Sequence, residues 1–367
     1  MTGLIERIHQ SSGRFSLAIS GGGSQAISEL LAVPGASATV LEASVPYHEA
    51  ALTRYLGQVP DSAASAVTAR NLAMVSWLRA KNIANDHDDI FGLGVVCALS
   101  TNRDRRGENR CFISIQSAYQ TNEISVVLNK GDRQRHEEER LVADLILHYV
   151  AESCGVESTP PTLPETLEER QHQASDSWSA LLVGNIKATH VAHEPLTVFP
   201  GAFNPLHQGH SKMISYAENL LGRKVNLEIS IRNVDKPPID FLEMQSRQEQ
   251  LDAHPVIFSN APTFAEKART FPRCCFIVGT DTLLRIADKK YYGNSEEQMV
   301  SAINELHELE CRMLVFGRLV AGQFQELDDL ALPKRLKELC TGVVEEDFRQ
   351  DISSTKLREG PKAFLPD

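Results

Sequence analysis

The stretch Leu196-Thr197-Val198-Phe199-Pro200-Gly201-Ala202-Phe203-Asn204-Pro205-Leu206-His207-Gln208-Gly209-His210 decides the fold. Its first four residues read as a short buried strand. Gly201 then lets the backbone turn tightly and approach a ligand with no side chain in the way. Pro205 stiffens the turn, and a helix opens at the two histidines. A helix start at a strand end presents unpaired N–H groups and the positive end of the helix dipole, which together favour phosphate. His207 and His210, three residues apart, can both face that place, where imidazoles donate hydrogen bonds to an anion.

Outward from this segment the pattern repeats. Val225–Ile231, Cys275–Val278 and Met313–Phe316 read as strands, each followed by polar or helical sequence, which predicts a parallel sheet with helices on both faces. The first half alternates too. A helix is expected over Ser65 to Lys81, with Ala69, Leu72, Val75 and Leu78 on one face. Strands are expected over Leu93–Leu99, Cys111–Ile115 and Ile124–Leu128. A further helix carries Leu141, Val142, Leu145, Ile146, Tyr149 and Val150 at helical spacing. Between the halves, Ser158-Thr159-Pro160-Pro161-Thr162-Leu163-Pro164 and the polar run after it read as a linker. The expected organisation is therefore two α/β domains, 1–156 and 196–367, joined by a linker over 157–195.

Composition agrees and narrows the function classes. The chain has 367 residues, 42% hydrophobic and 23% charged, ordinary for a globular protein of about two domains. A net charge of −11 argues against a broad nucleic-acid footprint but not against a local anion pocket. No apolar run is long enough to span a bilayer, and the first residues lack the layout of a secretory signal. Seven cysteines, without a repeating spacing, read as reduced thiols in a cytoplasmic protein. No metal-ligand spacing is present.

His207-Gln208-Gly209-His210 resembles the HxGH signature of the nucleotidylyltransferase superfamily, and Ile352-Ser353-Ser354-Thr355-Lys356-Leu357-Arg358 resembles its ISSTxxR-type motif. Gly279-Thr280-Asp281 is similar to the G-x-D turn that cups adenosine in the nicotinate/nicotinamide mononucleotide adenylyltransferases. Phe316-Gly317-Arg318 resembles the strand-ending arginine of that branch, and Asp235-Lys236-Pro237-Pro238 with Ser246-Arg247 its lysine loop and arginine-bearing helix. The resemblance covers roughly Leu196 to Glu359 and implies a Rossmann-like nucleotidylyltransferase domain. It implies His207, His210, Lys236 and Arg358 as catalytic residues. It further implies nucleotide contacts at Gly201, Ala202, Phe203, Gly279, Thr280, Asp281, Arg318, Ser353, Ser354 and Thr355, with ATP as a substrate accompanied by Mg²⁺. A helix start at Ser353–Thr355 would offer hydroxyls and N–H groups to a triphosphate, with Arg358 one turn along as a planar fork.

The first half carries a second resemblance. Ala18-Ile19-Ser20-Gly21-Gly22-Gly23, then Tyr47 and Ala50-Ala51-Leu52, is similar to the C-terminal domain of the CinA family. That family includes nicotinamide mononucleotide deamidases and implies an α/β/α fold. Its nucleophilic serine falls on Ser20 and its tyrosine on Tyr47. Its catalytic lysine falls on Leu52, and the threonine after the serine on Gly22. Leucine cannot activate a serine hydroxyl, so this half is expected to be a non-catalytic binding or dimerising module. Ser20, Gly21, Gly22, Gly23 and Tyr47 form a possible second site there. The expected activity is transfer of AMP from ATP to a pyridine mononucleotide, without nucleic acid or membrane as partner. Another nucleotidyl donor or phosphorylated acceptor, or binding without turnover, stays open.

Overall fold

Two glycines on one face of a strand set the packing of the first half. In Ile90-Phe91-Gly92-Leu93-Gly94-Val95 a Cβ at Gly92 would lie 2.0 Å from the Trp77 amide, and one at Gly94 2.2 Å from the Ala69 carbonyl. Only a glycine pair lets a helix rest its backbone on the sheet here. The computed structural model describes residues 2–84, 89–102, 106–190, 194–233, 236–320 and 322–349. Contacts divide it into two units, Met1–Val183 with Asn233–Gln245, and Gly184–Arg232 with Ser246–Asp367.

In the first unit the order is α1 (Thr2–Gln10), β1 (Arg14–Ser20), α2 (Gln25–Ala32), α3 (Ala36–Thr39), β2 (Val40–Ser44), α4 (Glu49–Leu56) and α5 (Ala66–Ile83). There follow β3 (Ile90–Ala98), β4 (Asn109–Ser117), β5 (Gln120–Leu128), α6 (Arg135–Ser153), β6 (Glu168–Gln173) and α7 (Asp176–Val183). The sheet runs β2-β1-β3-β4-β5-β6, parallel across β2, β1 and β3 and antiparallel from there on. Strand periodicity splits the core in two. Phe15, Leu17 and Ile19 of β1, with Leu93 and Val95 of β3, pack with Ile8, Leu30 and Ile146 of α1, α2 and α6. Ala18 and Val96 instead meet Leu52, Leu56, Ala69 and Leu72 of α4 and α5. The result is an α/β/α sandwich.

The stretch 157–195 is not bare linker, because β6 and α7 lie inside it. Strand β6, Glu168-Glu169-Arg170-Gln171-His172-Gln173, has no apolar residue to signal it. It is an edge strand held by antiparallel pairing with β5. In α7, Trp178, Leu181 and Leu182 are buried.

The second unit is a parallel sheet. Its elements are β7 (Thr197–Pro200), α8 (Gln208–Leu221), β8 (Val225–Ser230), α9 (Phe241–Gln250), β9 (Val256–Ser259), α10 (Phe264–Thr270) and β10 (Cys275–Gly279). They continue as α11 (Thr280–Ile286), α12 (Glu296–Glu308), β11 (Arg312–Phe316), the ribbon β12 (Arg318–Val320) and β13 (Gln323–Gln325), α13 (Lys334–Lys337) and β14 (Cys340–Val343). Sheet order is β14-β11-β10-β7-β8-β9, with every pair parallel. The chain moves one way from β7 to β9 and the other from β10 to β14. This reversal opens a crevice at the carboxyl ends of β7 and β10, where ligands bind in such sheets. Helix α9 straddles the division of the chain, since Gln245 counts with the first unit and Ser246 with the second.

The second unit contains a buried ion pair. Lys267 Nζ donates to both oxygens of Glu228, at 2.8 and 2.7 Å, and to the Ala261 carbonyl at 2.8 Å. Ser259 Oγ donates to the same carboxylate. Glu228 is fully buried and Lys267 nearly so, so removing one partner strands the other's charge. Lys267→Met should cost about 3–5 kcal/mol, read by chemical denaturation of the full chain. An unchanged midpoint would show that the pair does not hold β8, β9 and α10 together.

Candidate active site

The two histidines cap their own helix. His207 is the N-cap of α8, with extended backbone (φ −126°, ψ 167°). Its Nδ1 accepts the His210 amide at 3.4 Å, and Nδ1 of His210 accepts the His207 amide at 3.4 Å. This is the reciprocal geometry of a capping box, with imidazoles in place of the usual hydroxyl and carboxylate. The rings stack at 3.6 Å between centroids and 18° between planes. Because each Nδ1 is an acceptor, each neutral ring carries its proton on Nε2. The pair therefore places two neutral imidazole N–H groups at the helix start that follows β7.

Aromatic rings wall the inner histidine. Phe199 and Phe203 meet His210 edge-on at 5.8 and 5.2 Å. Phe203 is buried and holds a positive φ of 45°, a conformation that costs a bulky residue about 1–3 kcal/mol and persists only where surroundings enforce it. Burial, and then the neighbouring His207, lowers the His210 pKa from the ordinary 6.5 to about 4. Burial lowers that of His207 as well. Both rings are neutral at physiological pH.

The neighbouring strand ends supply the rest. Parallel pairing of β10 with β11 sets Gly279 beside Phe316. Gly279 caps α11, and Asp281 Oδ2 lies 3.0 Å from Nη1 of Arg318. The Thr280 hydroxyl is fully buried and has no hydrogen-bond partner among the described residues. Arg247 on α9 donates to the Ala202 carbonyl at 2.5 Å. The Gly201 amide donates to the Glu228 carbonyl at 2.9 Å, so Gly201 contributes room rather than a donor.

The structure thus gathers Gly201, Ala202, Phe203, His207, His210, Gly279, Thr280, Asp281 and Arg318 on the carboxyl ends of β7, β10 and β11. Lys236 is exposed and falls in Asn233–Gln245, which counts with the first unit. Ser353, Ser354, Thr355 and Arg358 lie outside the described residues.

In the first unit, Ser20 is buried and its Oγ donates to the Pro46 carbonyl at 3.0 Å. Leu52, in the base position of the resemblance, is packed in the apolar cluster under α4 and α5. Gly21 has φ +82°, and a Cβ there would lie 2.0 Å from the Cys97 carbonyl. The glycine run therefore serves close packing on β3. A cavity of about 540 Å³ is lined by Gly21, Gly22, Tyr47, Arg135, His136 and Glu139, among others. Arg135 donates to the Gly21 carbonyl at 2.8 Å, and Glu139 accepts the Ser24 amide at 2.7 Å. These α6 residues were not legible as site residues. Their one signal is a charged helix start, which is ordinary on a surface.

Residues 198–360 match the family described as "Cytidylyltransferase-like". A Schizosaccharomyces pombe protein named "Putative nicotinamide mononucleotide adenylyltransferase" is 30% identical over 182 residues, covering 46% of this chain and 71% of that protein. Among solved structures, the competence/damage inducible protein CihA from Agrobacterium tumefaciens is similar over 42% of this chain and 91% of its own (21% identity, TM-score 0.32). A CinA superfamily protein from Escherichia coli is similar over 41% and 84% (16% identity, TM-score 0.30). A parallel sheet carrying the paired-histidine helix start defines the second unit as a nucleotidyltransferase domain. The chain belongs, with its S. pombe relative, to the cytidylyltransferase-like nucleotidyltransferase family.

The buried imidazoles give a direct test. Between pH about 6.5 and about 4 the unfolded chain holds a proton on this residue that the fold does not. Stability should therefore fall as pH drops through that window. In the ligand-free protein the His210 ring resonances should titrate near 4; a midpoint near 6.5 would mean that the ring is solvated.

Proposed function

We propose that the protein is an adenylyltransferase that joins the AMP moiety of ATP to a nicotinamide or nicotinate mononucleotide, releasing pyrophosphate. The observation that carries the reading is the reciprocal imidazole cap, which places two neutral imidazole N–H groups at the helix start that follows β7. The name of the S. pombe relative supports the acceptor. Cytidylyl transfer is the second reading, favoured by the family's description.

The reaction needs no covalent intermediate. A phosphate oxygen of the mononucleotide attacks the α-phosphorus of ATP in line, the bond to the bridging oxygen breaks, and pyrophosphate leaves with its electron pair. The chain's task is to hold the partners and neutralise developing charge. His210 Nε2–H is assigned to the α-phosphate and His207 Nε2–H to the triphosphate. The half-exposed Asp281–Arg318 pair at the strand ends is assigned to the adenosine side. Ser353, Ser354, Thr355 and Arg358 are assigned to the β- and γ-phosphates on the resemblance alone. Mg²⁺ arrives with ATP as part of the substrate. Neutral donors suit this work, since they stabilise growing negative charge without a proton having to be gained first.

The first unit is read as a non-catalytic module for binding or for assembly of identical chains. The serine that would attack is engaged with a carbonyl, and its base position is filled by a core leucine. A cytoplasmic location fits a consumer of ATP, and among the described residues no helix is long and apolar enough to cross a membrane.

Pyrophosphate release should be greatest with ATP and a pyridine mononucleotide among a panel of phosphorylated acceptors, with CTP as the competing donor. His210→Ala should lower turnover about 10²- to 10³-fold, the loss expected for one preorganised donor, with the fold intact by circular dichroism. Near wild-type release in that variant would remove His210 from the mechanism. Separately, the wild-type chain should liberate no more ammonia from nicotinamide mononucleotide than a Ser20→Ala control. Ammonia that depends on Ser20 would make this a two-step enzyme.

A further inference from the structure

The turn ahead of the histidines folds one of its own side chains back against them. Phe203 is only 2% exposed, although Ala202 and Asn204 on either side of it are exposed. Its ring meets that of Phe199 at 5.3 Å between centroids and 82° between planes, and that of His210 at 5.2 Å and 78°. Phe199 meets His210 as well, so the three rings are in mutual edge contact. All of these residues belong to the second unit.

The same ring explains why residue 201 is a glycine. A Cβ there would lie 2.7, 2.9 and 3.0 Å from Cζ, Cε1 and Cε2 of Phe203. The space that a side chain at 201 would take is thus filled by the far edge of the phenyl ring. Phe203 reaches this place with a φ of 45°, a conformation kept only where the surroundings enforce it. Enclosure of the ring by Phe199, Gly201 and His210 is what enforces it. A side chain so enclosed presents almost no surface to a nucleotide; what it touches is the imidazole assigned to the α-phosphate.

We propose that Phe203 is a positioning residue for nucleotidyl transfer, its ring holding the His210 imidazole in the reciprocal cap and keeping water from it. The inference rests on the reading of His210 as a donor to the α-phosphate. The cap alone is a weak restraint, since both of its bonds are 3.4 Å long, beyond the usual range for N–H donors. Packing has to supply the rest of the restraint on the ring's rotation. Exclusion of water matters equally. A solvated imidazole gains a proton near pH 6.5, and a protonated Nδ1 is a donor that no longer accepts the His207 amide. Among the described residues, His207 is the titratable group that acts on His210, while Phe199 of β7 and Phe203 of the turn bring no charge. A misplacement of about 1 Å is enough to cost on the order of 10²-fold in rate.

The test uses the full chain, with steady-state pyrophosphate release from ATP and nicotinamide mononucleotide and an NMR titration of the histidine rings. Phe203→Ala should lower kcat about ten- to a hundredfold. KM for either substrate should change by less than about threefold, as expected when the interaction lost is made only in the transition state. In the ligand-free variant the His210 midpoint should rise from about 4 toward the ordinary 6.5, a signature that a purely structural loss elsewhere does not give. Phe203→Ala combined with His210→Ala should be no slower than His210→Ala alone, because one residue acts through the other. A raised KM for ATP with kcat kept would make Phe203 a nucleotide contact and overturn the proposal. Wild-type kcat, losses that multiply in full in the double variant, or a His210 midpoint still near 4 would overturn it equally. Should Phe203→Ala not fold, Gly201→Ala drives a methyl group against the ring with Phe203 retained. It should move kcat and the His210 midpoint in the same directions, and the absence of movement in either would sink the idea. If the wild-type chain shows no turnover, the reading of the reaction has failed. The His210 midpoint in Phe203→Ala then decides whether the ring still shields the imidazole.

Discussion

Parallel pairing of β7 with β8 on one side and β10 on the other is the constraint on which the second unit depends. It sends the chain in opposite directions on either side of β7 and leaves a crevice at the strand ends. Three of the recognised motifs follow strands of that crevice. The histidines come after β7, Gly279–Asp281 after β10 and Arg318 after β11. The site is assembled by backbone register, with side chains supplying only the final contacts. The reciprocal imidazole cap then settles tautomer and charge together, since the bonds that orient the rings also define which nitrogen is the donor.

The first unit tells a different physical story. Its sheet is packed so closely that glycines at 21, 92 and 94 are dictated by backbone atoms across from them. The position where the resembling family places a catalytic lysine is a core leucine. Packing and chemistry depend on different residues, so the close-packed glycines by themselves say nothing of activity.

Much of this was legible in the sequence. The seven strands that were expected coincide with β3, β4, β5, β7, β8, β10 and β11 to within a few residues, because each is an apolar run bounded by turn residues. Helix α5 was legible from Ala69, Leu72, Val75 and Leu78 at helical spacing, although only the first two are buried and Val75 and Leu78 stay half-buried. Strand β6 was not, because an edge strand held by backbone bonds needs no apolar side chain. The short β9, Val256–Ser259, escaped because four residues carry too little pattern. Histidine spacing exposed the candidate site, but the use of Nδ1 atoms as caps is a matter of coordinates. The buried pair of Arg70 with Asp240 in the first unit, 2.9 Å between Nε and Oδ2, was invisible for a simpler reason: charge complementarity between positions far apart in the chain leaves no local signature.

The polar character of β6 has a consequence for how copies of the chain could meet. A sheet whose last strand is open offers unpaired backbone groups to any passing strand, and proteins guard such borders with charge. Here Glu168, Glu169 and Arg170 stand along that border, and all are exposed. A second sheet approaching there would have to strip water from a row of ionised groups before any backbone bond formed. The opposite border, β2, carries Val40, Leu41 and Ala43 with a single carboxylate, Glu42, already engaged by Arg79. The two borders are thus unlike: three charged side chains along β6, and one carboxylate, held in an ion pair, along β2.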